Sequence, residues 1–214
     1  MSLAYFAIGF SPITALALTL FGLWPLNVGA LVIVLPSVML VILMGLKFPR
    51  HGLLSLIGWG MGLTAVSLYD LTRLPFIWTG IWRDFIPNIG GLLLGMLEPN
   101  WLAGYLWRYL GNGGGMGLAF TVVYSLLKPK VERRAAGLLF GVGVWACLMI
   151  TLLFSANGMK ILFTLTPTKV AISLVGHVVY GAVLGILLHV LKPERVLMRR
   201  APAAGNRPGT CHRD

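Results

Sequence analysis

Six long apolar runs separated by short polar breaks set the pattern of this chain. They cover about 4–23, 28–46, 52–69, 101–127, 135–155 and 170–191. A hydrocarbon core about 30 Å thick is crossed by about 20 helical residues. The runs therefore predict an all-α bundle of six transmembrane helices. The breaks carry turn formers. "LWPLN" at 23–27 is punctuated by Pro25 and Asn27, "KFPRH" at 47–51 ends the second span, and "KPKVERR" at 128–134 parts the fourth from the fifth. "KPERVLMRR" at 192–200 follows the sixth. Residues 1–200 read as one membrane domain, and the Pro/Gly/Arg tail at 201–214 as a disordered extension. No Lys or Arg precedes the first run, so it reads as a retained span rather than a signal peptide.

The segment 70–100 departs from this pattern. It carries Asp70, Arg73, Arg83, Asp84 and Glu98 together with Phe76, Trp78, Trp82 and Phe85, then an apolar stretch at 89–97 too short to cross. It predicts an outer amphipathic helix followed by a re-entrant or interfacial hairpin. Such a segment either lies on the headgroups, anchored by its Trp residues, or forms a lid over an outer-facing cavity.

Charge sets the orientation. Only 11% of residues are charged against 57% hydrophobic, whereas a soluble domain carries about 25% charged residues. Of the 17 basic residues, 12 fall on the side holding "KFPRH", "KPKVERR" and the C-terminus. The other side holds four: Arg73, Arg83, Lys160 and Lys169. This asymmetry predicts both termini in the cytoplasm of a bacterial inner membrane. It also explains the net charge of +11 without nucleic acid as a partner. Cys147 lies in an apolar run and Cys211 in the tail, with no sign of a pair or a metal site.

The stretch "RYLGNGGGMG" at 108–117 holds Gly111, Gly113, Gly114, Gly115 and Gly117 inside the fourth run. A phosphate cradle needs a strand before it and a helix after it, and the Walker pattern needs Gly-Lys-Ser/Thr, so nucleotide binding is excluded. Gly111/Gly115 and Gly113/Gly117 are two small-xxx-small pairs that let neighbouring backbones approach closely, as are Gly58/Gly62, Gly137/Gly141 and Gly181/Gly185.

Polar residues beside these glycines are the candidate site. Tyr105, Arg108 and Asn112 are spaced three and four, as one face of a regular helix requires. Ser173, His177 and Tyr180 on the sixth span are spaced four and three. Arg108 and His177 each lie seven residues into their spans, about 10 Å deep. Arg108 either reaches for the outer surface, pairs with Asp70, or joins Asn112, His177 and Tyr180 in an outer-half pocket for an anionic or carbonyl head on an apolar ligand. His177 otherwise satisfies itself on Ser173 or a backbone group.

Catalytic and cofactor chemistry finds little support. No HExxH, GxSxG or His-rich pattern is present. The reading that all six acidic residues lie in loops or the tail leaves His177 without an orienting carboxylate and the spans without a proton-coupling one. His177 and His189 are 12 residues, about 18 Å, apart on one helix and cannot clamp one iron. His51 and His189 at the cytoplasmic boundary are too few ligands for a metal site. No cofactor or metal is expected.

"SLVGHVVYGAVLGILLHV" at 173–190 resembles the last span of a loose group of small, uncharacterised bacterial membrane proteins, in which a His and a Tyr-Gly pair recur on a Gly/Ala-rich helix. "AAGLLFGVGVWACLMI" at 135–150 is similar to their penultimate span. That group also implies a His on the fourth span, where this chain has Asn112. The resemblance implies a fold and no activity. The sequence alone ranks first a non-enzymatic accessory or structural subunit beside a membrane partner or a second copy, on the strength of the glycine pairs. A binder or carrier of a lipid-like molecule comes second, and a lipid-head-group enzyme with His177 as base third.

Overall fold

The computed structural model describes residues 2–127 and 129–198, so the basic tail with Cys211 lies outside the described residues. Among these residues the fold is all-α. In chain order the helices are α1 (Ser2–Leu20), α2 (Leu26–Lys47), α3 (Pro49–Trp78), α4 (Ile86–Leu94) and α5 (Trp101–Leu127). They continue as α6 (Arg133–Phe154), α7 (Gly158–Ile161), α8 (Pro167–Leu191) and α9 (Arg195–Met198). Six of them, α1, α2, α3, α5, α6 and α8, are long and apolar enough to cross a membrane.

Local sequence explains the helix ends. The Asn100 side chain accepts from the Ala103 N–H at 2.9 Å, and Glu132 accepts from Arg134 and Ala135 N–H at 2.8 and 3.1 Å. Thr166 accepts from Lys169 N–H at 3.3 Å. Each cap supplies an acceptor to N–H groups that have no partner within the helix. Gly95 at φ 69° closes α4 in the left-handed conformation. Inside α1, Pro12 offers no N–H to the Ile8 carbonyl, and the Ser11 hydroxyl donates to that oxygen instead at 2.7 Å.

The helix α5 occupies the centre, against α1 and α3, while α8 packs on α3 and α6. Glycine permits both contacts. A Cβ on Gly62 would fall on the Gly113 carbonyl oxygen, and one on Gly117 would fall on the Gly62 backbone. Gly137 and Gly181 face each other across α6 and α8 in the same way, and Gly9 and Gly115 across α1 and α5. The helix α2 is outermost, with no buried side chain between Ala30 and Lys47. Leu31, Leu35, Met39, Leu43 and Leu46 all stand exposed on it. Soluble proteins rarely leave so continuous an apolar surface uncovered, whereas lipid accepts it.

Three sequence expectations are corrected. The third helix does not end near residue 69 but runs to Trp78, so Asp70 and Arg73 belong to a spanning helix, and not every acidic residue lies in a loop. The segment 70–100 is therefore the end of α3, a turn over 79–85, and the short helix α4, folded back on the start of α5. In that fold-back a Cβ on Gly104 would fall on the Ile86 carbonyl. Trp82 is also no surface anchor. It is 1% exposed and packs on Phe163 at 4.7 Å between ring centres, while Trp78 remains exposed.

The third correction concerns helical register. Trp107–Gly113 in α5 is a π-helical stretch, as is Ala30–Val34 in α2. Pro36 accounts for the second, because it has no N–H for the Val32 carbonyl four residues back. The wider turn in α5 breaks the rotation of 100° per residue, so the spacing of Tyr105, Arg108 and Asn112 does not define one face.

The glycine contacts give a paired test. Gly62→Ala should destabilise the protein by about 1–3 kcal/mol through overpacking. Gly60→Ala, where a Cβ meets nothing within 4 Å, should leave stability equal or slightly raised. Thermal unfolding of both variants in one detergent checks the contrast.

Candidate functional site

The site begins with four charged side chains. Asp70 on α3 accepts from Arg108 Nε on α5 at 2.8 Å to both carboxylate oxygens, and a further Arg108 nitrogen, Nη2, reaches the same carboxylate. Arg73, one turn along α3, donates to Asp70 at 3.1 Å and to Asp84 at 3.4 Å. Asp84 also accepts from the Tyr105 hydroxyl at 2.8 Å and from the Ile86 N–H at 3.1 Å, which starts α4. Arg73 is 1% exposed and Asp70 9%. Burying such charges in lipid is costly unless each meets a partner. Aromatic faces complete the shell. Arg73 lies over Phe85 and Trp82 at 5.0 and 5.8 Å, and Arg108 over Tyr69 at 4.6 Å.

Beside this network lies a cavity of about 370 Å³, a size typical of small-molecule sites. Its walls are apolar side chains of α1 and α6, among them Phe10, Ile13, Phe140 and Val144. Phe85, Ile86 and Ile89, at the start of α4, close one end. The floor is polar: Arg108, Asn112, His177 and the Tyr69 ring. Phe6 and Cys147 line the cavity and are also exposed, which places its mouth between α1 and α6.

The floor groups keep some polar atoms unused. His177 Nδ1–H donates to the Ser173 carbonyl at 2.8 Å, and the ring stands edge-on to Tyr69 at 5.1 Å. A carbonyl only accepts, so in the neutral ring Nε2 is left as an acceptor. Among the described residues no hydrogen bond reaches Nε2, and none reaches Arg108 Nη1. Asn112 Oδ1 is buried without a partner.

The structure brings Arg108, Asn112 and His177 to one cavity and places the other three candidates elsewhere. Tyr105 is bound to Asp84. The Tyr180 hydroxyl donates to the Gly113 carbonyl at 2.8 Å, and the Trp59 indole N–H to the Leu110 carbonyl at 3.0 Å. Both acceptors lie in the π-helical stretch, whose carbonyls are displaced from regular partners. Ser173 lends its carbonyl to His177, while its hydroxyl is buried and unpaired. Gly111 lies against Pro12, and Gly181 and Gly185 against α6 backbone near Gly137 and Arg134. His51 stacks on Tyr5 and meets Phe48 edge-on, while His189 Nδ1 lies 3.6 Å from Glu132. Sequence reasoning did not assign Tyr69, Arg73 or Asp84 to the site. The signal for them was the clustering of two acids and two bases at 70–84 beside an apolar run.

These features define the class, a helical bundle that fits a multi-pass membrane protein with a polar-floored cavity inside the helical region. Residues 82–198, more than half of the chain, match a family described as "Family of unknown function (DUF6789)", and the chain belongs to that family. The matched stretch carries Arg108, Asn112 and His177, while Tyr69, Asp70 and Arg73 stand on the helix before it. No curated protein and no solved structure matches the chain.

The ion network predicts an order of damage. Asp70→Asn leaves Arg108 without a carboxylate and should cost about 3–5 kcal/mol. Asp84→Asn leaves both guanidiniums in contact with Asp70 and should cost clearly less, as denaturant titration in mixed micelles can show. Tyr180→Phe tests the other role assigned here. It removes only the donor to the Gly113 carbonyl, so it should cost about 1 kcal/mol and leave any ligand binding intact.

Proposed function

We propose that this protein binds or carries a lipid-like amphiphile, with the polar head on the floor formed by Arg108, Asn112 and His177 and the tail between α1 and α6. The observation that carries this reading is the mixed lining of the cavity, which has apolar walls, a polar floor and a mouth on the side of the bundle that faces lipid. A ligand entering from the bilayer keeps its tail in apolar surroundings throughout. The start of α4 serves as the lid, because Phe85, Ile86 and Ile89 cover one end of the cavity. With both termini in the cytoplasm, as the basic loops favour, the floor lies in the outer half of the membrane.

This reading moves ahead of the accessory subunit for a physical reason. The subunit reading drew its support from the glycine pairs and from the absence of a catalytic or coupling-ion set in the sequence. Gly58, Gly62, Gly113 and Gly117 meet one another within the chain, as do Gly137, Gly141, Gly181 and Gly185. These pairs are therefore spent on contacts inside the chain. An enzymatic reading lacks, among the described residues, a carboxylate lining the cavity to act with His177.

Native mass spectrometry of the chain extracted gently from its own membrane tests the proposal. The expected result is the chain plus one small molecule. Gly143 lines the cavity and a Cβ there meets nothing within 4 Å, so Gly143→Phe fills the space from its wall. That variant should lose the adduct. A bare chain, or an adduct that survives Gly143→Phe, would refute the proposal, and a larger complex with other chains and no small molecule would restore the accessory reading.

A further inference from the structure

The cavity floor carries a guanidinium but no spare charge. Arg73 and Arg108 are matched by Asp70 and Asp84, so the four groups sum to zero within one connected network. Arg108 is the one Lys or Arg that lines the cavity, and two of its nitrogens are already committed to Asp70. Among the described residues no Asp or Glu lines the cavity. An anionic head placed on this floor would meet a guanidinium whose charge is spent, with the Asp70 carboxylate directly behind it. In a low-dielectric site that repulsion is poorly screened.

What the floor does offer is hydrogen-bonding capacity of both kinds. Arg108 Nη1 is a donor, His177 Nε2 an acceptor in the neutral ring, and the Asn112 amide nitrogen a second donor, its Oδ1 being buried. A doubly ionised phosphate has acceptors to give to Arg108 but no donor for His177. A head with a carbonyl and a hydroxyl has both.

We infer that the cavity selects an amphiphile with an uncharged head bearing a carbonyl and a hydroxyl, in the manner of an acylglycerol, and discriminates against phosphate-headed lipids. This inference rests on the proposed function and narrows it to a chemical class. The selection comes from charge balance on the protein side. Asp70 balances the charge of Arg108, so the ion pair as a whole offers a ligand a hydrogen-bond donor and no net charge.

The experiment uses the purified full chain in detergent micelles with two probes, 1-oleoylglycerol and 1-oleoyl lysophosphatidic acid, which share tail and glycerol and differ by the phosphate. Mixed at equal concentration and read by native mass spectrometry, the wild type should carry about ten times more oleoylglycerol, a preference of the size that charge juxtaposition sets. Gly143→Phe supplies the background for both probes. If neither probe exceeds that background, the cavity takes no such amphiphile, and the proposed function fails together with this inference. If the phosphate probe binds equally or better, and Gly143→Phe abolishes it, the cavity binds lipids but the neutral-head inference is overturned. Asp70→Asn and Asp84→Asn each add one net positive charge, and either folded variant should shift the ratio at least threefold towards the phosphate probe. An unchanged ratio in a folded variant overturns the charge-balance argument, and the wild-type ratio decides alone if neither variant folds.

Discussion

Much of this structure depends on a single carboxylate, Asp70, held between two guanidiniums inside a membrane-spanning helix. Lipid offers no water to solvate a stray charge, so each of these groups fixes the position of the next. Asp70 ties α3 to α5 through Arg108. Arg73 passes the constraint to Asp84 across the turn. Asp84 then accepts the Ile86 N–H and so fixes where α4 begins. The start of α4, which lines the cavity, is in this way positioned by the same chain of contacts that neutralises the floor. Trp82 and Phe85 close over the Arg73 guanidinium and shield the network on that side.

The six spans were legible in the sequence because the bilayer imposes a length and a composition on every crossing helix. The break residues Pro25, Pro49 and Pro167 fall where helices end or begin for local reasons that a sequence displays. The end of α3 was not legible. Residues 70–78 hold an acid and a base, which a hydropathy reading takes as the end of a span. The helix continues because Asp70 and Arg73 satisfy each other and two further groups brought in from residues 84 and 108. The pairing of Asp70 with Arg108, 38 residues away, stood among the alternatives open from the sequence, and the structure shows it.

The polar stripe was legible in part. Arg108, Asn112 and His177 meet at the cavity. Tyr105 serves Asp84, and Tyr180 on α8 serves a carbonyl of the π-helical stretch in α5. Its cause is not written in a single residue. Helix α5 is thin, with glycine at five of the seven positions 111–117, and the backbones of α1 and α3 press against it. A helix so rich in glycine resists a change of winding less than one with side chains locked against each turn. Carbonyls at 110 and 113 are then served by side chains from α3 and α8.

This division of labour narrows what the site can be. A membrane bundle has few polar side chains, and most of those near α5 are consumed by the fold. Trp59 and Tyr180 serve backbone, Tyr105 serves Asp84, and Arg73 serves two carboxylates. What lines the cavity is the remainder: Arg108 with Nη1 unbonded, His177 with Nε2 unbonded, and Asn112. Had Asp70 been absent, the same floor would have been a cation-lined anion site. With Asp70 in place, the charge of Arg108 holds the helices together, and only its hydrogen-bonding edge remains for a ligand.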